Sequence, residues 1–563
     1  MGPDRSKTIL CFLVTLSIVG AQQIVGRTPP VKEREYAHPK NRLQLKTPKD
    51  AISEQELRSE YWIQQAQQTL SNKLNQKVVT TKAKNVIFFI GDGMSPQTIA
   101  ASRMMLGNEN ELLSFETFPH VGQVRTYCVN RQVSDSACTG TAYLSGVKIN
   151  YGMLNLAASV RRYSCEYDKN NETEIDGLMK WAQDAGKATG IVTTTRITDA
   201  TPAASYARSA TRGWEGDGEV AEDGCDPKQT IDIAQQLVYN EVSQNFRVIL
   251  GGGRRFFLPR EARDEEGSRG YRMDGRYLIG EWMALHRAMG ESVYVWNKTQ
   301  LVSTDFEKTD YLLGLFEASH LMYNLEAQLE ETSAAEPTLS ELTESAIKML
   351  QKHEEGFVLF VEGGLIDLAH HSNRPRMSLD ETVEFSKAIE VARKLTSVDD
   401  TLIVVSSDHS HTMTYNGYTK RGQDILGIAD ISEEDGLPYT TLSYANGQGY
   451  YETYNPENLA ERLNILEQDY SVYNKRYLAT APLSSETHGG EDVNVYASGP
   501  LSHIFAGSYE QNTIPHLIAY AVGIETSQIG DDDEEDEDGG AQPVLESIGL
   551  LQLAAVLSML LNR

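Results

Sequence analysis

The sequence has little positive charge and no long hydrophobic run. Its 51 lysines and arginines face 79 aspartates and glutamates, which gives a formal net charge of −28. This deficit of cations argues against nucleic-acid binding, because that function needs a basic surface. The apolar run near the C-terminus, Ile548 to Leu561, is shorter than the roughly 20 residues of a membrane-spanning helix. The composition, 40% hydrophobic and 23% charged, is otherwise that of a globular protein.

The usual signatures of a serine hydrolase are also missing. We find no G-x-S-x-G elbow and no convincing Ser-His-Asp pattern. The stretch QVSDSACTGTAYLSG, residues 132–146, nevertheless raises a question about Ser136. It predicts a helix capped by Asp135 or Ser136, but Ser136 could also be a nucleophile. A free hydroxyl is a poor nucleophile, so the second interpretation requires a base or a metal ion.

Cysteine is scarce, and the cysteines that remain after export can all be paired. Cys11 lies in the N-terminal apolar run, and four others follow: Cys128, Cys138, Cys165 and Cys225. Because exported chains are oxidised, these four allow two disulfides in three possible pairings. Asn171 and Asn297 each begin an Asn-X-Thr sequence and are candidate glycosylation sites.

Both ends of the chain have the pattern of targeting segments. Residues 1–21 combine early basic residues with an apolar run and small residues, which is typical of a secretory signal peptide. Residues 531–541 contain the acidic run DDDEEDED and then Gly-Gly-Ala, and the hydrophobic residues 542–563 follow. This layout predicts an acidic linker with a GPI attachment point and a tail that is removed. We therefore expect the extracellular face of the cell membrane; a retained C-terminal helix anchor is the alternative.

Three continuous apolar runs of strand length end in acidic or imidazole side chains. The runs are NVIFFI (85–90), GFVLFVEGG (356–364) and TLIVVSS (401–407). Runs that do not alternate indicate strands buried on both faces, and the helical stretches between them predict an α/β fold with a parallel sheet. The side chains at or after the strand ends are Asp92, Glu362, Asp367, His370, His371, Asp408, His409 and His411.

These side chains predict a metal site at one edge of the sheet. Ligands of such sheets bind beyond the carboxyl ends of the strands, and crowded carboxylates need cations to offset their charge. Imidazole with carboxylate suits zinc, and all-oxygen sets suit magnesium or calcium. Asp367 and His371 are four residues apart, so a helical turn would direct both at one ion. His488, beside two glycines, is a further candidate ligand.

Five segments, taken in order, resemble the signature segments of alkaline phosphatases. They are FFIGDGMS, SDSACTGTAYLSGVK, LFVEGGLIDLAHH, VVSSDHSH and ETHGGEDV. The resemblance runs from about Ser53 to about Gly523 and implies a large, mostly parallel central sheet flanked by helices, spanning 45–530. It further implies a small crown insertion at about 414–482, an N-terminal helix in SEQELRSEYWIQQAQQTLSNKL and a homodimer. The two targeting segments match the GPI-anchored animal form.

The resemblance implies hydrolysis of phosphate monoesters at alkaline pH through a phosphoserine intermediate, with two zinc ions and one magnesium ion. Ser136 would be the nucleophile, and Arg212 would bind the phosphate. The first zinc would be held by Asp367, His371 and His488, the second by Asp92, Ser136, Asp408 and His409, and the magnesium by Asp92, Thr201 and Glu362. A calcium site would comprise Glu266, the carbonyl of Phe316, Glu317 and Glu336; ordinary surface acids are the alternative interpretation.

The sequence departs from the family pattern beside the third metal and at the nucleophile loop. Asp199 and Leu368 both stand where vertebrate enzymes have His, so we expect Asp199 to lack its usual neighbour and to leave an extra negative charge there. Cys138 replaces a Gly and Cys128 a non-Cys residue, and we expect these two to pair. Cys165 and Cys225 match a family disulfide by position.

Two other functions fit the same scaffold. A phosphodiesterase of the same superfamily would share the two zinc ions but lack the Arg212-type contact and usually the third metal, so Arg212, Thr201 and Glu362 favour the monoesterase. A cell-surface binding protein on an inactive scaffold would have lost a ligand or the nucleophile. The residues that match the motifs include the nucleophile and every zinc and magnesium ligand.

Overall fold

The computed structural model describes residues 51–167, 169, 172–330 and 335–524. The predicted signal peptide 1–21, the acidic segment 531–541, the tail 542–563 and the candidate glycosylation site Asn171 lie outside the described residues. In the described part of the chain, every helix is too short or too polar to cross a bilayer.

Within these residues the chain forms 19 strands and 16 α-helices. The strands are β1 (Asn85–Gly91), β2 (His120–Arg125), β3 (Ala188–Arg196), β4 (Phe246–Gly252), β5 (Ser292–Val295), β6 (Tyr311–Leu315), β7 (Phe357–Gly363), β8 (Thr401–Ser406), β9 (Ser410–His411), β10 (Met413–Tyr415), β11 (Ile428–Ile431), β12 (Pro438–Thr440), β13 (Leu442–Gly447), β14 (Tyr454–Asn455), β15 (Asn458–Arg462), β16 (Ala479–Pro482), β17 (His488–Gly489), β18 (Val493–Ser498) and β19 (Gly507–Glu510). The helices are α1 (Ser59–Leu74), α2 (Pro96–Leu106), α3 (Ser136–Ser145), α4 (Leu178–Asp184), α5 (Ala200–Ala203), α6 (Asp217–Glu222), α7 (Ile233–Tyr239), α8 (Glu241–Gln244), α9 (Leu278–Arg287), α10 (Lys298–Val302), α11 (Asn324–Leu329), α12 (Leu339–Leu350), α13 (Leu365–His371), α14 (Pro375–Leu395), α15 (Tyr450–Thr453) and α16 (Ile514–Val522).

Ten strands form one central sheet in the order β19-β2-β18-β8-β1-β7-β3-β4-β6-β5. Only β18 runs antiparallel to its neighbours in this sheet, pairing with β2 and β8. The predicted α/β fold with a mostly parallel sheet is therefore confirmed. The three apolar runs of the sequence become β1, β7 and β8, which are adjacent at the middle of the sheet with β1 between the other two.

Both faces of the sheet are covered, which explains why the central strands read as continuous apolar runs. Along β1, Val86, Phe88 and Ile90 join the hydrophobic core on one face, where α4, α7, α9 and α16 pack. Ile87 and Phe89 join the core on the other face, where α12 and α14 pack. Side chains of a strand alternate between the two faces of the sheet. A strand that is buried on both faces therefore has no solvent-exposed position for a polar residue until it ends.

The predicted insertion, 414–482, forms a separate β-rich region beside the sheet edge that carries the predicted ligands. It contains the pairs β11-β12 and β14-β15, and β13 joins β10 and β16 in a three-stranded sheet. A small core cluster fixes this region to the main body, because Leu442, Tyr444 and Tyr477 pack with Ala101 of α2 and Leu379 of α14. That this region is the crown insertion of the family stays a prediction.

The predicted N-terminal helix is present as α1 and begins at Ser59 rather than at the start of the predicted segment. None of its residues is buried. Trp62, Ile63, Leu70 and Leu74 are all more than half exposed. An amphipathic helix obtains most of its stability from packing its apolar side, so α1 presents an apolar surface that the described residues of this chain do not cover.

Both expected disulfides are present. Cys128 bonds to Cys138 across the start of α3, and Cys165 bonds to Cys225 across 60 residues of sequence. Cys128 and Cys138 are almost completely buried, in a small core cluster with Trp214. The first bridge therefore connects the loop that precedes Ser136 to the first turn of the helix that Ser136 begins.

We expect the double substitution Cys165→Ser with Cys225→Ser to lower the midpoint of thermal unfolding of the secreted protein. The bridge closes a 60-residue loop, and a crosslink of that length restricts the unfolded chain by an amount on the order of 2–4 kcal/mol. Differential scanning calorimetry at fixed scan rate would measure the shift. An unchanged midpoint, with loss of the bridge confirmed by intact mass, would contradict the prediction.

Candidate active site

The predicted ligands meet at the carboxyl ends of β1, β7 and β8. The register pairs Ile90 with both Glu362 and Ser406, so the three strands end at one level. Asp92 follows β1, Glu362 is near the end of β7, and Asp408 and His409 follow β8. Helix α13 brings Asp367 and His371 to the same edge, and β17 places His488 opposite His411 of β9. The structure therefore brings together all the predicted zinc ligands.

The turn after β1 depends on Gly93. This residue has φ +66°, and a Cβ at this position would approach His411 Cδ2 to 2.3 Å. Its N–H donates to Asp408 Oδ1 at 2.9 Å. Only glycine combines this backbone conformation with such close packing, so the second glycine of the Gly-Asp-Gly segment lets the chain turn while Asp92 stays at the strand end.

Ser136 is the first residue of α3, and Asp135 is the cap. The Asp135 carboxylate accepts from the Cys138 N–H at 3.4 Å, and Ser136 is 2% exposed. The Ser136 Oγ lies 3.2 Å from His409 Nε2. Ser136 thus begins a helix and also faces the cluster of ligands, where the free N–H groups of the helix favour an anion.

The group around His409 has the donor chemistry of a cation site. His409 Nδ1 lies 3.3 Å from the carbonyl of Ser410, which can only accept, so Nδ1 carries the proton and Nε2 presents a lone pair. Nε2 is 3.2 Å from Asp408 Oδ2 and 3.5 Å from Asp92 Oδ1. Within the part of the chain that the structure describes, the buried Asp92 Oδ1 has no hydrogen-bond partner. A lone pair and two carboxylates that converge in this way fit a metal ion.

His371 and His488 form a second such group with Asp367. Their Nδ1 atoms lie 2.5 Å and 2.7 Å from the carbonyls of Glu486 and Ser134, respectively, which fixes the protons on Nδ1. The two Nε2 lone pairs then face each other at 3.1 Å. Each Nε2 is 3.4 Å from an oxygen of Asp367. Facing lone pairs repel unless a cation lies between them, so these three residues fit a zinc ion.

A third, all-oxygen group surrounds Glu362. Its Oε2 accepts from Thr193 and, at 3.0 Å, from Thr195, and Thr201 also hydrogen-bonds to this carboxylate. Burial, with Asp199 nearby, raises the pKa of Glu362 to about 7 despite these hydrogen bonds. Oxygen ligands of this kind suit magnesium.

The carboxylates of the three groups are close enough to repel one another. Burial raises the pKa of Asp92 well above its usual range, and the charges of Asp408, Asp367 and Glu362 raise it further. Burial also lowers the pKa of His409 well below its usual range, with His488 adding to the effect, so the ring is neutral. Neutral imidazoles and crowded anions together lack positive charge, which metal ions would supply.

The structure corrects our expectation for Asp199. Its Oδ2 lies 3.0 Å from Arg196 Nη2, and its Oδ1 lies 2.9 Å from Arg212 Nη2. The charge of Asp199 is therefore paired, and the expected extra negative charge is not left over. Burial alone would raise the pKa of Asp199, but Arg196 and Arg212 outweigh it and lower the pKa below its usual range. Leu368 instead packs against the hydrophobic core.

The predicted calcium residues share one neighbourhood, and the buried Arg254 lies in it. The Arg254 guanidinium donates to the Phe316 carbonyl at 3.2 Å and pairs with Glu266. Burial raises the pKa of Glu336 to about 8, with Glu317 adding to the effect. Among the described residues, the groups close enough to share one ion do not include these glutamates. Calcium stays a prediction, and Arg254 supplies positive charge to two of its four proposed ligands.

Two further residues support the site: His411, which the sequence placed at this edge without a specific ligand role, and Glu486, which the sequence did not single out. His411 Nδ1 lies 2.6 Å from Glu486 Oε2, and its Nε2 lies 2.6 Å from Asp367 Oδ1. Burial would lower the pKa of His411, but these two carboxylates outweigh it and raise the pKa to about 10. Both residues lie in the motif segments SDHSH and ETHGG, but their contact exists only in the fold.

Asn297 caps helix α10, and its Oδ1 accepts from the Gln300 N–H at 2.9 Å. It is partly buried, so glycosylation there stays a prediction.

Comparisons with known proteins agree with this geometry. The family model described as alkaline phosphatase matches residues 83–524. The chain is 41% identical over 542 residues to "Membrane-bound alkaline phosphatase" of Bombyx mori, covering 94% of this chain and 95% of that protein. It is 42% identical over 490 residues to "Alkaline phosphatase, tissue-nonspecific isozyme" of Homo sapiens, covering 84% of this chain and 90% of that protein.

Solved structures of low identity support the fold. The alkaline phosphatase of Thermus thermophilus has a TM-score of 0.56 at 23% identity and covers 82% of this chain and 95% of its own. The alkaline phosphatase of the Antarctic bacterium TAB5 has a TM-score of 0.54 at 21% identity and covers 79% of this chain and 100% of its own. The family match, which includes every strand of the central sheet, and the relatives above 40% identity show that the chain belongs to the alkaline phosphatase family.

Proposed function

We propose that this chain hydrolyses phosphate monoesters by transferring the phosphoryl group first to Ser136 Oγ and then to water. The observation that carries the proposal is the position of Ser136. Its hydroxyl is buried at a helix N-terminus, 3.2 Å from the Nε2 lone pair of a neutral histidine that also faces two carboxylates. A metal ion held by that histidine and the two carboxylates would activate the hydroxyl by lowering its pKa.

The donor sets fit two zinc ions and one magnesium ion. Asp367, His371 and His488 would hold the first zinc, and the magnesium ligands would be Asp92, Thr201 and Glu362. The second zinc would be held by Asp92, Ser136, Asp408 and His409. Bound zinc would lower the pKa values of the serine hydroxyl and of water and would offset the charge of the phosphoryl oxygens. Calcium would be a fourth ion, held by Glu266, the Phe316 carbonyl, Glu317 and Glu336.

The residues of the chain would orient the reactants. Carbonyls on the Nδ1 atoms of the three histidines fix which nitrogen faces the site. Arg212 is held by Asp135 and Asp199 but remains 32% exposed, so its guanidinium can also contact a phosphate. The N–H groups at the start of α3 would bind a further phosphoryl oxygen. Because these contacts are made mainly to the phosphate, the site would accept esters of many different alcohols.

Each step conserves atoms and charge. In the first, the Ser136 hydroxyl releases its proton to solvent, Oγ bonds to phosphorus as the ester P–O bond breaks, and the departing alkoxide takes up one proton from solvent to leave as the alcohol. In the second, a water oxygen bonds to phosphorus as the bond to Ser136 Oγ breaks, one proton of that water passes through solvent to Oγ to regenerate the serine hydroxyl, and inorganic phosphate is released. Donors placed where negative charge develops stabilise both transition states.

We also propose that the mature chain is attached by a GPI anchor to the outer face of the cell membrane. The support is the sequence of residues 531–563, with its acidic segment, small residues and short hydrophobic tail. A relative that is 41% identical is named as membrane-bound. A homodimer is proposed because α1 exposes Trp62, Ile63 and Leu70, and because Tyr418 and Tyr451 of the insertion are exposed.

We expect Ser136→Ala to lower the hydrolysis of p-nitrophenyl phosphate by at least about a thousandfold, because the nucleophile is lost. Ser345→Ala is a matched control: it removes a buried helical hydroxyl that donates a hydrogen bond to the Glu341 carbonyl of its own helix. Steady-state kinetics between pH 7 and 11 would measure both variants. Near wild-type activity in the first variant would contradict the serine mechanism.

Removal of metal ions should abolish activity and lower the midpoint of thermal unfolding by several degrees. Without cations, the facing lone pairs of His371 and His488 and the crowded carboxylates repel. Chelation, elemental analysis and calorimetry would test this, and zinc with magnesium should restore both properties. An enzyme that stays fully active with less than one zinc per chain would refute the proposed cofactors.

The ectodomain, residues 22–530, should have twice the mass of one chain in light scattering after size-exclusion chromatography. Leu70→Glu should shift it toward the monomer, because it places a charge on the apolar side of α1. Val302→Glu, at an exposed position of α10, is the control that should not. A wild-type monomer at micromolar concentration would contradict the proposed dimer.

A further inference from the structure

We propose that Arg196, held by Glu215, is a positioning residue for the phosphate-binding Arg212 and acts through Asp199. The inference rests on the proposed function, because it concerns the arginine that would bind the substrate phosphate. It assigns a role to two charged residues, Arg196 and Glu215, for which the sequence motifs gave none.

Arg196 is fixed at the end of β3 by a two-pronged ion pair. Its Nε lies 2.7 Å from Glu215 Oε2, and its Nη2 lies 2.8 Å from Glu215 Oε1. The Thr198 hydroxyl also donates to Glu215 Oε2 at 2.6 Å. Both charged side chains are nearly buried, 14% and 12% exposed. A planar guanidinium bound through two parallel hydrogen bonds has a fixed orientation, which a lysine could not provide.

The fixed guanidinium of Arg196 in turn holds Asp199. The same Nη2 that contacts Glu215 lies 3.0 Å from Asp199 Oδ2. The other oxygen, Asp199 Oδ1, accepts from Arg212 Nη2 at 2.9 Å and from the Ala200 N–H at 2.7 Å. Asp199 is therefore a bridge between two guanidinium groups. Among the described residues, the groups close enough to share one ion do not include it.

Arg212 completes a row of alternating charges. Its Nη1 lies 3.3 Å from Asp135 Oδ2, in the carboxylate that caps the helix of the nucleophile. The row therefore runs Asp135, Arg212, Asp199, Arg196, Glu215, with an anion at each end. Two contacts, one to each neighbouring carboxylate, orient the Arg212 fork relative to Ser136.

Arg196 matters because Arg212 would otherwise face two carboxylates alone. Two anions on one guanidinium would offset most of its attraction for a phosphate dianion. Arg196 offsets part of the negative charge of Asp199. Asp199 therefore weakens the attraction between Arg212 and the substrate phosphate less than it would alone. His320 cannot do this: its Nε2 is 3.8 Å from Asp199 Oδ2, but burial lowers its pKa to about 4, so the ring is neutral.

The test compares Arg196→Met in the wild-type and Arg212→Ala backgrounds of the zinc- and magnesium-loaded ectodomain. We expect the single variant to weaken inhibition by inorganic phosphate and to raise KM for p-nitrophenyl phosphate by about ten- to hundredfold, with a smaller change in kcat. Calorimetric titration with inorganic phosphate would measure affinity without turnover. In the Arg212→Ala background, Arg196→Met should have no further effect.

Two more variants separate positioning from stability. Arg196→Lys keeps the charge but not the fork and should restore part of the phosphate affinity. Arg208→Met is the matched control, because Arg208 lies in the same segment and pairs with Asp176 and Glu174, away from Arg212. It should leave phosphate inhibition unchanged.

Unchanged phosphate affinity in Arg196→Met, or equal losses in both backgrounds, would overturn the inference. If Arg196→Met does not fold, Glu215→Gln replaces it as the test variant, and it should also weaken phosphate binding. Unchanged phosphate affinity in Glu215→Gln would overturn the inference too. A wild type that neither hydrolyses the ester nor binds phosphate would refute the proposed function itself. An active wild type with unaffected variants would refute only the positioning by Arg196.

Discussion

The arrangement of the site follows from the concentration of negative charge at one edge of the sheet. Asp92, Glu362 and Asp408 lie at or beyond the ends of three adjacent strands, and Asp367 joins them from α13. Burial raises the pKa of Asp92, and the neighbouring carboxylates raise it further, so such groups are stable as anions only beside positive charge. Three sources can supply that charge: metal ions, which the donor sets fit, the imidazole of His411 beside Asp367, and arginines of the chain itself.

Backbone carbonyls and carboxylates around the imidazoles determine which atoms face the ions. Carbonyls of Glu486, Ser134 and Ser410 hold the Nδ1 protons of the three candidate zinc-binding histidines. His411 lies between Glu486 and Asp367, and its raised pKa makes it a fixed cation beside the first group. These contacts orient the ligands before any ion binds, which is how surrounding residues tune a metal site.

Beside the candidate metal sites, arginines offset the negative charge of further carboxylates. Arg212 and Arg196 alternate with Asp135, Asp199 and Glu215, so the arginine proposed to bind phosphate is held in place by anions without being fully neutralised by them. Ion pairs that are mostly buried, as these are, contribute little net stability, because desolvation opposes their attraction. Their value here is orientation, since each fork has a defined direction.

The sequence by itself determined the middle of the sheet and which side chains meet at its edge. Continuous apolar runs with acids at their ends predicted β1, β7 and β8 and the edge where the ligands meet, because burial on both faces excludes polar residues until a strand ends. The five motifs then predicted the nucleophile and the zinc ligands. Only the tertiary structure decided how charges pair: Asp199 meets Arg196 and Arg212, His411 meets Glu486 across 75 residues, and Arg254 lies among the predicted calcium ligands. Such pairs depend on distances of a few ångströms between segments, and local sequence patterns contain no information about those distances.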